Sequence, residues 1–285
     1  MHESICELLD YSGFKEVIYK EVNGRSLRLM YCIPDHDDTR NRDVVVWVHG
    51  GGLTGGNALD YVPHSRFMAE RGIVGISVEY RLLSEGVTVE SCISDVADAV
   101  IFIRSNADIF GIDPQKVVAV GESAGGYLVT ALVTVMKNYD ENRRSIPNAV
   151  VNCNGVVDLT GDFIYFVSKT PSDRPIAVTQ QVMEKAKEFS PVFHIGGELP
   201  PLLNLQGEQD RTVLPQITQE FHERYTQMGG KSEIVLWRDA RHAFIVTGYT
   251  AANEQIDRAL REIEKYVSRK EWYLCGEYST LIINS

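Results

Sequence analysis

Three observations predict an α/β fold, a mostly parallel twisted sheet with helices on both faces and an antiparallel hairpin on one edge. Short apolar runs alternate with helix-length segments along most of the 285-residue chain. Those runs lack the in–out alternation of a half-solvated strand, so both of their faces are expected to be buried, as in a parallel sheet. Ahead of them, Asn23-Gly24 separates two strand-like runs, and both residues of such a turn need positive φ, which makes the pair a strong hairpin signal.

In chain order, residues 15–33 supply the hairpin, "KEVIYKEV" and "RSLRLMYCI". A polar break, "PDHDDTRNRD", reads as a solvated loop. The strands that follow are "VVVWV", "IVGISVEY", "KVVAVG", "AVVNCNG", "PPLLNLQG" and "EIVLW". Apolar residues at helical spacing predict helices over 89–106, 124–137, 216–228 and 251–267. Strand–helix alternation implies right-handed βαβ crossovers. One segment departs from this rhythm: residues 159–197, which contain Pro171, Pro175 and Pro191 and one helix candidate, "IAVTQQVMEKAKEF". An excursion of that length in a compact domain serves as a lid or pocket wall. No linker or repeat divides the chain, so a single domain is expected over 1–285.

Composition narrows the function classes. A net charge of −11 argues against nucleic acid or an anionic membrane surface as partner. No run reaches the length of a membrane span, and the N-terminus lacks the basic and apolar regions of a secretory leader. Cys6, Cys32, Cys92, Cys153 and Cys275 are odd in number and form no CxxC pair. They read as free thiols in a reducing compartment, and with no N-x-S/T site they point to a cytoplasmic protein. No G-x-G-x-x-G follows a strand, and no H-E-x-x-H or C-x-x-C is present, so no cofactor or metal is expected. The composition is compatible with a homodimer.

The chemistry lies in two glycine-rich stretches. "KVVAVGESAGGYLVTALV" reads as strand, tight turn and helix, with Ser123 at the centre of G-x-S-x-G. Such an elbow holds a serine in a strained conformation with its hydroxyl exposed at a helix N-terminus. Serine is a poor nucleophile and needs a base, which in this architecture follows an acid along the chain. That order leaves His194, His222 and His242. His222 sits within a predicted helix and His194 precedes the strand that should carry the acid. His242, in the short loop after the last core strand, is the expected base. Asp210, just beyond "PPLLNLQG", is the expected acid, with Glu208 and Asp239 as weaker rivals. The second stretch, "HGGG" at 49–52, ends the first long buried strand. Attack on an ester creates an oxyanion that needs preorganised N–H donors. Gly51, Gly52 and Ala124 are the expected donors, glycine being required where substrate oxygen approaches the backbone to about 3 Å. His49 is expected to brace this loop and not to act as a second base.

The combination of "HGGG", "VEYRL" and "FGIDPQKVVAVGESAGG" resembles the hormone-sensitive-lipase-like carboxylesterases of the α/β-hydrolase superfamily. The resemblance implies a serine esterase with Ser123, Asp210 and His242 as triad, acting on a small-molecule ester. It departs from many relatives in a short segment before HGGG, so a small cap is expected, and in Glu122 where Asp is frequent. The short N-terminal segment also resembles sugar-deacetylating and arylformamidase branches. Leu53 and Tyr61 after the glycine run, with Glu122 beside the serine, are the candidate substrate contacts. Asn57, Phe163, Ile164, Tyr165 and Phe166 are further candidates for the pocket wall. With no long apolar lid, short acyl chains are expected.

Overall fold

The computed structural model describes residues 13–35, 40–84, 86–140, 143–168, 177–246 and 253–269. The N-terminal segment read above for a leader, most of the acidic run in the polar break, Pro171 and Pro175, Cys6 and Cys275 lie outside these residues.

The hairpin forms as its turn requires. Strand β1 (Lys15–Val22) pairs antiparallel with β2 (Arg25–Cys32), and Asn23 and Gly24 take φ of 51° and 76°. The remaining strands are β3 (Arg42–Val48), β4 (Val74–Val78), β5 (Ile112–Glu122), β6 (Ala149–Cys153), β7 (Leu202–Gly207) and β8 (Ser232–Trp237). They build one eight-stranded sheet in the order β1-β2-β4-β3-β5-β6-β7-β8. The hairpin joins antiparallel through β2 and β4, and every pair from β4 to β8 is parallel. The chain adds β4 on one side of β3 and then crosses to add β5 on the other. A crevice opens at such a reversal, outside the carboxyl ends of the strands, and is where ligands bind in open α/β sheets.

Alternate residues of the central strands feed two separate cores. Val44, Val46 and Val48 point to one face and Val45 and Trp47 to the other, all fully buried. Strand β3 is therefore apolar from Val44 to Val48 while still having period two. Helices α2 (Val89–Ser105), α4 (Ala124–Thr134) and α7 (Pro215–Gln227) contribute to the first core. Helices α1 (Val62–Ala69) and α8 (Asn253–Val267) contribute to the second. Short α3 (Ala107–Phe110) leads into β5 through Gly111 in the left-handed conformation. The excursion contains α5 (Tyr165–Ser168) and α6 (Gln180–Phe189), the latter capped by the Thr179 side chain accepting the Val182 N–H.

Two details depart from the sequence reading. Helix α4 stops at Thr134 instead of 137, where a 3-10 turn over Met136–Asn138 takes over. Helix α1 carries no apolar stripe, and "VPHSRFMA" gives no amphipathic signal because its polar residues His64 and Ser65 face inward and are fully buried.

Candidate active site

At the carboxyl end of β5 the chain reverses into α4 within one residue. Ser123 takes φ 52° and ψ −115°, and its N–H donates to the Cys153 carbonyl of the neighbouring strand. The spacing of the motif has a direct steric cause. A Cβ on Gly121 would lie 2.2 Å from the Gly125 carbonyl oxygen, and one on Gly125 would lie 2.0 Å from the Val48 carbonyl oxygen. No side chain fits in either place, so strand, helix and β3 close on one another through bare backbone.

The elbow points the serine at a histidine 119 residues away in sequence. Ser123 Oγ lies 2.8 Å from His242 Nε2, and His242 Nδ1 lies 2.8 Å from Asp210 Oδ2. Asp210 is buried and held on every side: Oδ1 accepts the N–H groups of Thr212 (2.8 Å) and Val213 (3.0 Å), and Oδ2 also accepts from Gln206 Nε2 at 3.3 Å. Gln206 is fixed in turn by Thr218, whose hydroxyl donates to its Oε1. An acid held in this way keeps the proton on Nδ1 and leaves Nε2 free to accept from the serine. The loop bearing His242 is anchored from α1, where His64 Nε2 bonds to the Ile245 carbonyl at 2.6 Å. The rivals lie elsewhere: His194 bonds to the Lys187 carbonyl, His222 to Ser232 Oγ, and Asp239 pairs with Arg258. Glu208 is exposed, makes no hydrogen bond with the imidazole and lines a neighbouring groove.

The glycine run continues β3 and curls back beside the serine. Gly51 and Gly52 take φ of 104° and 62°, and the Gly51 carbonyl accepts the N–H groups of Thr54 and Gly55. That tight closure adds a second reason for glycine at 51, beyond room for a substrate oxygen. The N–H groups of Gly51, Gly52 and Ala124 have no acceptor among the described residues. His49 stacks on Tyr80 with ring centroids 4.2 Å apart, while Tyr80 donates its hydroxyl to the His49 carbonyl. Burial pushes the His49 pKa down to about 4, against a partly opposing hydrogen bond with the Gly50 carbonyl. A neutral, buried imidazole of this kind braces the loop.

The crevice is a cavity of about 400 Å³. Its floor is Ser123, Glu122, His242 and residues 49–52, and its wall is largely Tyr61, Phe163, Tyr165, Phe166 and Val246. The Tyr165 hydroxyl comes down over Gly52. Leu53 is a correction: it is fully buried in the core and does not line the cavity, because its φ of 59° turns the side chain under the loop. Ile164 is likewise in the core, and Asn57 instead caps the 3-10 turn Ala58–Tyr61 by accepting the Leu59 N–H.

Glu122 has a role that the motif alone does not reveal. It is only 3% exposed, with one carboxylate oxygen against Gly50 and the other 3.8 Å from His242 Nε2. Asn154, which follows β6 and escapes the sequence reading, donates to Glu122 Oε1 at 3.2 Å and lies 3.2 Å from His242 Nδ1. Burial raises the Glu122 pKa from 4.5 to about 7; His242 and Asn154 oppose that rise and Asp210 adds to it. The folded chain therefore holds this proton more tightly than the unfolded chain does. The stability it contributes is complete below pH 4.5 and is lost as pH rises through about 7. Glu122→Gln mimics the protonated form. It is expected to be more stable than wild type by about 3 kcal/mol at pH 9 and equal to it near pH 4.5, as read by urea unfolding across that range. A difference independent of pH would mean that the carboxyl does not titrate there.

Similarity to known proteins agrees with this geometry. Residues 31–225 match the model of the BD-FAE family. Phenmedipham hydrolase of Pseudarthrobacter oxydans is 38% identical over 101 residues, covering 33% of this chain and 20% of that protein. The carboxylic ester hydrolase LipM of Mycobacterium tuberculosis, described as probable, is 27% identical over 85% of this chain and 59% of its own length. The isoprenylcysteine α-carbonyl methylesterase of Arabidopsis thaliana is 24% identical over 75% of this chain and 53% of its own. The chain thus spans from a fifth to about three-fifths of these curated relatives. Among solved structures, esterase 2 of Thermogutta terrifontis in a propionate-bound form superposes with a TM-score of 0.78 at 27% identity, covering 94% of this chain and 98% of that one. The apo form of the same esterase gives 0.75 at 28% identity, covering 90% and 95%. An α/β-hydrolase sheet with its glycine loop and serine elbow, matched by the family model over residues 31–225, makes this chain a member of the BD-FAE family of hormone-sensitive-lipase-like hydrolases.

Proposed function

We propose that the protein is a serine carboxylesterase that cleaves small, short-acyl esters through an acyl-enzyme. The observation that carries this reading is the unbroken series Ser123 Oγ, His242, Asp210 at 2.8 Å steps, on the floor of a cavity beside unpaired backbone N–H groups. Ser123 Oγ attacks the ester carbonyl carbon as its proton passes to His242 Nε2. The N–H groups of Gly51, Gly52 and Ala124 hold the resulting oxyanion, each such donor supplying roughly 10²- to 10³-fold in rate. Collapse breaks the bond to the alcohol oxygen, which leaves with the proton from His242. Water then repeats the attack on the acyl-enzyme, releases the acid and restores Ser123.

Relatives support the same chemistry. They include proteins named as ester hydrolases, and the Thermogutta esterase has been captured phosphorylated by paraoxon and with propionate and butyrate bound. The short-acyl preference rests on the small cavity, closed on one side by Phe163, Phe166 and Tyr61. Residues 159–197 act in this reading as pocket wall, since three of the lining aromatics come from them. Cys32, Cys92 and Cys153 are buried free thiols, which supports a reducing, cytoplasmic setting, and no helix among the described residues could cross a membrane.

The test is paired. Paraoxon should add one diethylphosphoryl group per chain, located at Ser123 by peptide mass spectrometry, and abolish turnover. Initial rates on p-nitrophenyl esters from acetate to decanoate should peak between acetate and hexanoate. Labelling elsewhere, or a maximum at decanoate, would count against the nucleophile or the pocket respectively.

A further inference from the structure

A second cavity opens off the same histidine. It is about 640 Å³ and is lined by Glu208, Gln209, Asp210, Arg211, Thr212, Arg241 and His242. Thr212 and His242 belong to both cavities, so the two meet at the imidazole. Their linings differ in kind. The first has an aromatic wall, whereas the second has no apolar residue at all.

Two arginines line that groove. The protein carries a net charge of −11, and Arg25, Arg71, Arg81, Arg258 and Arg269 are each ion-paired with an acid. Arg211 and Arg241 are exposed and have no acidic partner or hydrogen bond among the described residues. Of the two acids beside them, Asp210 is spent on His242, Gln206 and two backbone N–H groups. Glu208 and Asp210 bring the groove's formal charge to zero, so what favours an anion there is the pair of unpartnered guanidinium groups and not a net charge. Asp60 lines the aromatic cavity and no arginine does, so among the described residues the only guanidinium groups placed to hold an anionic part of the substrate lie in the groove.

The reaction decides which half of the ester meets this groove. His242 must deliver its proton to the alcohol oxygen, so the alcohol lies along the imidazole while the acyl group lies against the aromatic wall. Resting on the esterase reading, we infer that the groove is a leaving-group subsite in which Arg211 and Arg241 recognise an alcohol carrying a carboxylate. A guanidinium fork matches a carboxylate by geometry as well as by charge.

The experiment compares two acetyl esters, 4-acetoxybenzoate and its neutral methyl ester, with wild type and with R211Q, R241Q and the double variant. The readout is the ratio of kcat/KM for the anionic over the neutral ester, which cancels any general change in activity. The double variant is expected to lower that ratio by roughly tenfold and each single variant by about threefold, through KM, as for exposed ion pairs. In wild type, ionic strength of about 1 M, where the Debye length is about 3 Å, should erase most of the preference. An unchanged ratio in the double variant, with the neutral ester still cleaved, would overturn the subsite and leave the esterase reading intact. Cleavage of neither ester by wild type would overturn both.

Discussion

Ser123→Ala is expected to lower kcat for p-nitrophenyl acetate by roughly 10⁴- to 10⁶-fold while leaving the fold intact. The loss is large because the reaction has one nucleophile and the rest of the cavity cannot replace it. His242 Nε2 would face a methyl group in place of the hydroxyl it meets at 2.8 Å. The elbow itself is held by backbone: the Ser123 N–H on the Cys153 carbonyl, and the Ser123 carbonyl accepting from Tyr127. Alanine keeps those bonds, and the φ of 52° is borne equally by either residue. Unfolding free energy should therefore move by no more than about 1 kcal/mol. A residual rate above that in water is expected as well, since the backbone donors remain. Stopped activity in a folded variant would establish the nucleophile; a loss of less than tenfold would remove Ser123 from that role.

Asp210→Asn is expected to cost about 10⁴-fold in kcat with little change in structure. The reason can be followed atom by atom. Asp210 Oδ1 accepts two backbone N–H groups, from Thr212 and Val213, so the amide oxygen of asparagine must occupy that position. Its NH₂ then falls where Oδ2 accepted from His242 Nδ1 and Gln206 Nε2. A donor there forces Nδ1 to become the acceptor and moves the ring proton to Nε2. An imidazole in that tautomer cannot take the serine proton. The measurement is kcat and KM side by side, with KM expected to change little. A drop confined to KM would show that Asp210 shapes binding and not the base.

The features legible in the sequence are those in which local backbone geometry dictates residue type. Asn23-Gly24 closes a turn that needs positive φ, and Gly121 and Gly125 are bare because the backbone of α4 and β3 occupies the space of their Cβ atoms. The demands at Gly121 and Gly125 fall on positions four residues apart in the chain and leave a spaced motif. The central strands were legible because a strand covered on both faces, such as Val44 to Val48, is apolar at every position. His242 and Asp210 could be selected by their places after β8 and β7, since the parallel strands β3 to β8 bring their carboxyl ends to one side of the sheet.

Other features depend on segments that meet only in three dimensions. Asn154 resembles any loop asparagine until β6 lies beside β5 and sets its amide against Glu122 and His242. Helix α1 escaped the reading because His64 and Ser65 turn inward, one to reach Ile245 far along the chain. Leu53 looked like a pocket residue by its nearness to the glycine run, yet a single positive φ sends it into the core. The same holds for charge: composition shows an acidic protein, but not that two unpaired arginines gather beside its histidine. Turn chemistry and strand burial are local or averaged properties, and a sequence displays them directly. A pKa of about 7 at Glu122, or a side chain's choice between core and cavity, is set by desolvation and by neighbours as distant in sequence as His242 is from Glu122. Those exist only once the chain has closed on itself.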